Sequence, residues 1–289
     1  MDKTLNHGLS HLFYRVEGKA TNEPPLLLIH GFAEDGRIWD GQVAALQDLC
    51  QVIIPDLPGS GRSSALRGET SMEEMAESIA ALLDAEGIKQ AVVVGHSMGG
   101  YISLAFAEKY PGRLSALGLF HSTAFADSEE KKALRRKSNE FIGKHGAAPF
   151  IQQSTPNLFA EDSREQHPEW VEKVISSYSA FNPHSLVYYY NAMIRRPDRT
   201  EILKQCKQPV LFIIGEKDNT IPLVSSLQQT HMAAISSIHI LEKAGHMGML
   251  EEAEHCRSIL EEFMAFAIAR ASGISGSHPK KPHTNEHQP

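Results

Sequence analysis

The residues best suited to chemistry are the GHSMG run at Gly95–Gly99, in which Ser97 has a glycine two positions away on each side. The continuous apolar run Ala91–Val94 comes directly before it, and an apolar helical pattern over about 98–109 follows. At a sharp turn from a strand into a helix, a strained backbone makes the serine hydroxyl project outward. Side chains in place of the two glycines would collide with neighbouring backbone. The spacing therefore predicts that Ser97 is a nucleophile for acyl chemistry.

Two later positions could activate this serine, because a hydroxyl nucleophile needs a base and the base needs an orienting group. Asp218 follows the apolar run Leu211–Ile214, and His246 follows an apolar run that ends at Leu241. The order serine, acid, histidine along the chain predicts Asp218 as the orienting acid and His246 as the general base. Glu216 lies two residues from Asp218 and is the alternative acid.

A third element, His30–Phe32, follows the apolar run Pro25–Ile29. We expect the backbone N–H groups of Phe32 and Met98 to form an oxyanion hole. The loss of one such donor typically raises the barrier by about 3–4 kcal/mol. His30 itself is expected to shape the loop by hydrogen bonding to backbone.

The elements that must position these residues are short apolar runs separated by helical patterns. Continuous apolar runs favour strands buried on both faces, so the sequence predicts an α/β fold with a mostly parallel central sheet and helices on both faces. A capping box at Ser71 begins one of the helices, and Leu12–Val16 is expected to be antiparallel near a sheet edge. The predicted strands of the parallel part lie at Pro25–Ile29, Val52–Pro55, Ala91–Val94, Leu117–Phe120, Val210–Ile214 and Ile238–Leu241.

Residues 124–205 interrupt this alternation, because they contain helical patterns and no convincing strand. An all-helical insertion of this kind predicts a cap over the carboxyl ends of the strands, where open α/β sheets bind ligands. The predicted organisation is a core of residues 1–123 and 206–271, a helical cap of residues 124–205, and a polar tail of residues 272–289 that is expected to be disordered. The basic pairs Arg135-Arg136 and Arg195-Arg196 are expected on a solvated helix face or helix end, with binding of an anionic substrate as the alternative.

These segments together resemble the α/β-hydrolase superfamily, over roughly residues 10–270 apart from the cap. The similarity is carried by His30–Phe32 with Trp39, Asp56–Ser63, Gly95–Gly100, Gly215–Asp218 and Gly245-His246. It is strongest to the capped serine-nucleophile branch of esterases, enol-lactonases, cofactor-free haloperoxidases and carbon–carbon bond hydrolases. The resemblance implies the triad Ser97, Asp218 and His246, with Phe32 and Met98 as oxyanion donors. Haloalkane dehalogenases and epoxide hydrolases resemble the pattern but carry aspartate at the position of Ser97.

Composition excludes several other classes of function. The net charge is −7 and no block of lysine and arginine is present, which argues against nucleic acid or an anionic membrane as the main partner. No apolar stretch is long enough for a signal peptide or a membrane span. The three cysteines, Cys50, Cys206 and Cys256, are far apart and favour a reducing compartment. The sequence therefore predicts a cytoplasmic protein with no metal and no organic cofactor.

The predicted activity is hydrolysis of a small, largely neutral ester or related acyl compound through an acyl-enzyme intermediate. Phe32, His121 and Tyr189 are the expected substrate contacts. Carbon–carbon bond hydrolysis or perhydrolysis on the same triad stays open, as does a ligand receptor without turnover. The charged helical segment Ser128–Lys144 favours short soluble substrates over lipid. The sequence leaves the oligomeric state open.

Overall fold

A computed structural model describes residues 1–7, 10–66 and 68–272, and one twisted sheet forms its centre. The strands are β1 (Asp2–His7), β2 (Ser10–Glu17), β3 (Leu26–Ile29), β4 (Val52–Pro55), β5 (Ala91–His96), β6 (Leu114–Phe120), β7 (Val210–Gly215) and β8 (Ser236–Leu241). Their spatial order is β1-β2-β4-β3-β5-β6-β7-β8. β2 pairs antiparallel with β1 and β4, and the other neighbours are parallel. The predicted mostly parallel sheet is confirmed.

Helices cover both faces of this sheet. They are α1 (Asp40–Leu49), α2 (Met72–Ala85), α3 (Met98–Lys109), α4 (Glu129–His145), α5 (Ala147–Ser154), α6 (Glu161–Gln166), α7 (Pro168–Tyr178), α8 (Pro183–Arg195), α9 (Thr200–Gln205), α10 (Leu223–Thr230), α11 (Gly248–Glu251) and α12 (Ala253–Ala271). The predicted capping box is present at the start of α2, where the Ser71 side chain accepts from the Glu74 N–H and the Glu74 side chain accepts from the Ser71 N–H. Reciprocal caps of this kind satisfy two backbone donors that have no partner inside the helix.

Alternate residues of the central strands pack into two separate hydrophobic cores. Leu27 and Val93 belong to the core formed with α2 and α3, whereas Leu26 and Val92 belong to the core formed with α1 and α12. All four side chains are fully buried. Because successive strand side chains point to opposite faces, a strand covered on both faces must be apolar at every position. This is why the central strands appear as continuous apolar runs.

The segment between β6 and β7 contains the six helices α4–α9 and no strand, with every one of its residues described. The predicted all-helical insertion is therefore confirmed, while the exact division at residues 123/124 and 205/206 stays a prediction. The charged pattern over Ser128–Lys144 predicts α4, and the helical patterns over Glu169–Tyr178 and Ser185–Arg195 predict α7 and α8. The sequence patterns did not anticipate α5, α6 and α9, which are eight residues or fewer in length.

Further outcomes concern the ends of the chain, its surface and its cysteines. Strand β1 was not predicted, because this edge strand pairs through its backbone and the side chains of Asp2, Thr4 and Asn6 face solvent. The helical pattern over about 252–269 predicts Phe266 on one apolar stripe with Ile259, Leu260 and Phe263, and these three are buried, but Phe266 is 39% exposed. The three cysteines are buried and unpaired, as expected.

The predicted disordered tail lies outside the described residues except for Ser272. Within the described part of the chain, none of the helices combines the length and the apolar character needed to cross a membrane.

Candidate active site

Ser97 lies in a tight turn between β5 and α3, with φ at 49° and ψ at −112°. A Cβ atom built on Gly95 would approach the carbonyl carbon of Gly99 to 2.2 Å, and one on Gly99 would approach the carbonyl oxygen of Ile29 to 2.4 Å. Both distances are impossible for real atoms, which confirms the predicted reason for the two glycines. A positive φ at a non-glycine residue stores strain that the surrounding structure must hold.

A chain of two hydrogen bonds joins the three residues predicted to form a triad. The Ser97 hydroxyl donates to Nε2 of His246 across 2.9 Å. On the other side of the ring, Nδ1–H of His246 donates to Oδ2 of Asp218 across 2.7 Å. All three residues are less than 10% exposed, and they come from the loops after β5, β7 and β8. The structure thus brings together side chains that are 149 and 28 residues apart in sequence.

Asp218 is held by further donors that fix its orientation. The N–H groups of Thr220 and Ile221 donate to Oδ1 at 2.7 and 2.9 Å. Burial alone would raise the pKa of the Asp218 carboxyl, but the charge of His246 and the hydrogen bond from His246 outweigh burial and hold this pKa far below its ordinary range. The carboxyl therefore stays ionised well below the pH at which an ordinary aspartate takes up a proton. Glu216, the alternative acid, is exposed to solvent.

A cavity of about 260 Å³ opens onto the Ser97 hydroxyl between the sheet and the cap. Its wall is mostly apolar, with a few polar groups that include Ser97, His246 and Arg135. The apolar lining comes from Phe32, Phe150, Ile151, Val174, Tyr190 and Met193. A concave apolar site with a few convergent polar groups is typical of small-molecule sites.

Of the two predicted oxyanion donors, Met98 directly follows Ser97 in the chain and Phe32 lies in the loop after β3. Met98 is the first residue of α3, and first-turn N–H groups have no partner within their own helix. Phe32 lines the cavity, and its ring stacks on Tyr190 with centroids 4.2 Å apart. His30 shapes this loop as predicted: it is buried, its Nε2 accepts from the Leu57 N–H, and its Nδ1 donates to the carbonyl of Gly31.

Most of the chain matches one known protein family. The model of the alpha/beta hydrolase fold family matches residues 24–253. The chain belongs to the alpha/beta hydrolase fold family. It is 38% identical over 223 residues to a protein from Azorhizobium caulinodans whose name assigns it provisionally as a carbamate hydrolase, covering 74% of this chain and 80% of that protein.

Solved structures of this hydrolase fold align over almost the whole chain. A thermophilic esterase from Thermogutta terrifontis, determined with malate bound, is 30% identical and superposes with a TM-score of 0.87, covering 93% of this chain and 99% of the esterase. An enol-lactonase from Burkholderia xenovorans is 23% identical with a TM-score of 0.84, covering 91% of this chain and 100% of the lactonase. At that lower identity the second likeness shows the fold alone.

Sequence reasoning missed a buried pair in this hydrolase that connects three loops of the site. Oε2 of Glu34 accepts from Nδ1–H of His96 at 3.0 Å and from the Gly31 N–H at 2.7 Å. Nε2–H of His96 donates to the carbonyl of His246 at 2.9 Å. Both side chains are at most 4% exposed. The pair therefore joins the loop that contains Phe32, the turn at Ser97 and the loop that contains His246.

The charges of the two partners support each other. Burial would raise the pKa of Glu34, but the charge and hydrogen bond of His96 and the Gly31 N–H outweigh it and lower this pKa. Burial would lower the pKa of His96, but the charge and hydrogen bond of Glu34 outweigh it and raise that pKa. Glu34 thus contributes stability that is lost as pH falls, and His96 contributes stability that is lost as pH rises. The pair stabilises the fold most between the ordinary pKa values of glutamate and histidine, which is roughly pH 4.3 to 6.5.

Replacing Glu34 by glutamine should lower the free energy of unfolding by about 3 kcal/mol near pH 6, because a buried imidazolium loses its partner. The difference from the unmodified protein should shrink on either side of that window. Urea denaturation at a series of pH values measures it. Glu77→Gln removes a half-exposed surface pair with Lys109 and is the matched control, with an expected effect below about 1 kcal/mol. Equal effects of the two substitutions would contradict the assigned role of the buried pair.

Glu251 is a second group that the sequence did not reveal. Its carboxylate accepts from the N–H groups of Gly245 and Met247 at 2.9 and 3.1 Å, and from Ala160 of the cap at 2.7 Å. Burial raises the pKa of Glu251 despite these donors. The residue fixes the backbone on both sides of His246 and ties this loop to the cap. No motif marks it, because its partners are backbone groups.

Two of the three predicted substrate contacts lie away from the cavity. His121 is 1% exposed, and its Nδ1 accepts from the Gly215 N–H beside Asp218. The Tyr189 hydroxyl bonds to Ser60 and to the carbonyl of Pro58, so its ring packs into the core. Its neighbour Tyr190 faces the cavity instead, because adjacent helical residues point about 100° apart. Phe32 alone of the three lines the cavity.

His121, Asp218 and His246 also offer metal-ligand atoms that lie within 4.8 Å of one another. These atoms are already engaged, since His246 bonds to Asp218 and Nδ1 of His121 accepts from Gly215. Burial lowers the pKa of His121 to about 4, so this ring is neutral at physiological pH. A metal here would have to displace the hydrogen bond that orients His246, and a site without metal or cofactor stays our prediction.

Proposed function

We propose that this protein is a serine hydrolase that cleaves small esters or related acyl compounds through a covalent acyl-enzyme. The observation that supports this most strongly is the continuous chain from Ser97 through His246 to Asp218, which opens at its serine end onto the cavity. A nucleophile within hydrogen-bond reach of a base, with the base oriented by a third group, is the arrangement that activates a hydroxyl.

In the proposed first step His246 takes the proton from Ser97 as the hydroxyl oxygen attacks the carbonyl carbon. Asp218 stabilises the imidazolium that forms and holds Nδ1 as the protonated nitrogen. The N–H groups of Phe32 and Met98 donate to the developing oxyanion. His246 then gives its proton to the leaving alcohol, and the acyl group stays on Ser97.

In the proposed second step water replaces the alcohol. His246 removes a proton from this water, whose oxygen attacks the acyl carbon and forms a second oxyanion in the same hole. Collapse of that intermediate returns the proton to Ser97 and releases the acid. The mechanism needs no group beyond those that the chain supplies.

The size of the cavity and the character of the cap support a small substrate. About 260 Å³ accommodates a short acyl chain and a small alcohol, but not a triglyceride. Most of α4 is charged, and Ile142 is its one buried residue. A lid that meets a lipid surface needs a broad exposed apolar face instead. The esterase and carbamate hydrolase names of two relatives agree with cleavage at an acyl carbon.

The test is a series of p-nitrophenyl esters from acetate to palmitate. We expect kcat/KM to be highest for short acyl chains and to fall as the chain outgrows the cavity, with no rise in rate when substrate passes its solubility limit. Rates are followed by release of p-nitrophenol. A rate that rises with chain length would contradict the size argument, and no turnover of any ester would favour a receptor or another reaction on the same residues.

A further inference from the structure

Arg135 contributes a guanidinium to the wall of the cavity that contains Ser97. The sequence placed Arg135-Arg136 on a solvated helix face, but only 12% of the Arg135 side chain is exposed, and it lines the same cavity as Ser97 and His246. Arg136, one residue further along α4, is exposed. One arginine of the pair is therefore directed inward and the other outward.

Arg135 and the cations around it share a single buried carboxylate, that of Asp127. Asp127 is 1% exposed and is shared between Arg135, at 2.7 Å, and Arg196, at 3.2 Å. The Lys131 ammonium lies nearby and donates to a backbone carbonyl. Asp198, the other acid beside Arg196, is exposed. Three cations thus lie around one buried carboxylate, since Glu130 and Asp198 are exposed to solvent, in a chain whose overall charge is −7.

Two of the three guanidinium nitrogens of Arg135 are free to bind a ligand. Nε donates to Asp127, and the two terminal nitrogens make no hydrogen bond with any residue that the structure describes. The guanidinium carbon lies 5.2 Å from the centroid of the Tyr190 ring, and Tyr190 stacks on Phe32. The cation is therefore held in a fixed direction, close to the loop that carries a proposed oxyanion donor.

A hydroxyl on the same wall reports the positive potential. Tyr101 lines the cavity, and the Arg196 guanidinium carbon lies 3.9 Å from the centroid of its ring. Burial would raise the pKa of this phenol, but the charges of Arg196, Lys131 and Arg135 outweigh burial and lower it. The same three cations thus favour a negatively charged ligand in the cavity that Tyr101 and Arg135 line.

We propose that Arg135 is an anion subsite, and that the substrate is a half-ester of a short dicarboxylic acid. Its free carboxylate would accept two hydrogen bonds from the terminal nitrogens of Arg135, and its ester carbonyl would lie at Ser97. A planar guanidinium matches a carboxylate in this paired geometry and loses little hydration in doing so. The proposal replaces the expected neutral substrate with an anionic one, and it rests on the proposed hydrolase function.

The experiment compares monomethyl glutarate with methyl glutaramate, in which an uncharged amide of the same shape replaces the carboxylate. The unmodified protein should prefer the half-ester in kcat/KM, measured by acid release in a pH-stat. Arg135→Gln should lower the preference about 100-fold by reducing kcat/KM for the half-ester alone. Arg135→Lys should fall between the two proteins. Arg136→Gln, on the exposed face of the same helix, should leave both rates unchanged.

A binding measurement separates the subsite from the reaction. Calorimetry with monomethyl glutarate on the Ser97→Ala protein should show binding that disappears when Arg135→Gln is added. Binding with this dependence but without turnover in the unmodified protein would keep the subsite and overturn the hydrolase function. Two results would overturn the proposed subsite. One is an equal fall of kcat/KM for both substrates in Arg135→Gln, and the other is the absence of any preference for the half-ester in the unmodified protein. If Arg135→Gln does not fold, the substrate preference and the calorimetric binding are measured with Arg135→Lys instead.

Discussion

Ser97→Ala is expected to reduce kcat for ester hydrolysis by about a millionfold, because it removes the atom that forms the acyl-enzyme. The fold should survive, since the hydroxyl contributes one hydrogen bond, to His246, while the strained turn is held by backbone contacts. The Ser97 N–H donates to the carbonyl of Phe120, and the Ser97 carbonyl accepts from the Ser122 hydroxyl. Steady-state rates with a short p-nitrophenyl ester measure the loss.

A fluorophosphonate probe gives an independent readout of the same residue. The unmodified protein should be labelled at Ser97, and the Ser97→Ala protein should not be labelled at all. Ser154 also lines the cavity, so Ser154→Ala is the matched control and should keep both labelling and turnover. Labelling that persists in the Ser97→Ala protein, located by mass spectrometry, would assign the nucleophile elsewhere.

The central part of the fold could be predicted because one physical rule governs it. A strand of a parallel sheet under two layers of helices is apolar at every position, and such runs are easily seen in a sequence. The predicted run Val52–Pro55 coincides with β4, and the predicted run Ala91–Val94 is extended by two residues in β5. The short helices of the cap had no comparable signal, since their limits are set by contacts with one another and with the core.

The candidate triad could be predicted for a related reason. In a parallel sheet the loops at the carboxyl ends of the strands converge, so polar residues after strand runs are candidates for one site. Ser97, Asp218 and His246 each follow such a run. Glu34 and Glu251 could not be found in this way, because their importance lies in contacts with backbone or with a histidine distant in sequence.

Arg135 shows most directly which feature of the site could not be predicted from the sequence. Arg135 and Arg136 are chemically identical neighbours, and composition or charge pattern cannot separate them. A helix turns about 100° per residue, so two adjacent side chains point in different directions. Which of them enters the cavity depends on how α4 packs against α8, and that contact is a property of the folded cap. The sequence therefore shows that two arginines are present in α4, but not which of them lines the cavity.

Asp218→Asn is expected to lower kcat about ten-thousandfold while leaving the protein folded. The amide oxygen of asparagine can still accept from the N–H groups of Thr220 and Ile221, so the loop after β7 should keep its shape. The amide nitrogen would then face Nδ1 of His246. Because that nitrogen is a donor, it would favour the ring tautomer that carries the proton on Nε2, and this tautomer cannot accept the proton of Ser97.

The matched control is Glu216→Gln, two residues earlier in the same loop. Glu216 is exposed, so its substitution should change kcat less than about twofold. Steady-state kinetics on both variants, with thermal unfolding to confirm the fold, decide between the two acids. The reverse ranking would make Glu216 the orienting acid, and the loop after β7 would then have to rearrange to bring its carboxylate to His246. A small effect of both substitutions would mean that His246 is oriented by a different group, and His121, whose ring nitrogen lies 3.5 Å from the same carboxylate, would then be the next residue to replace.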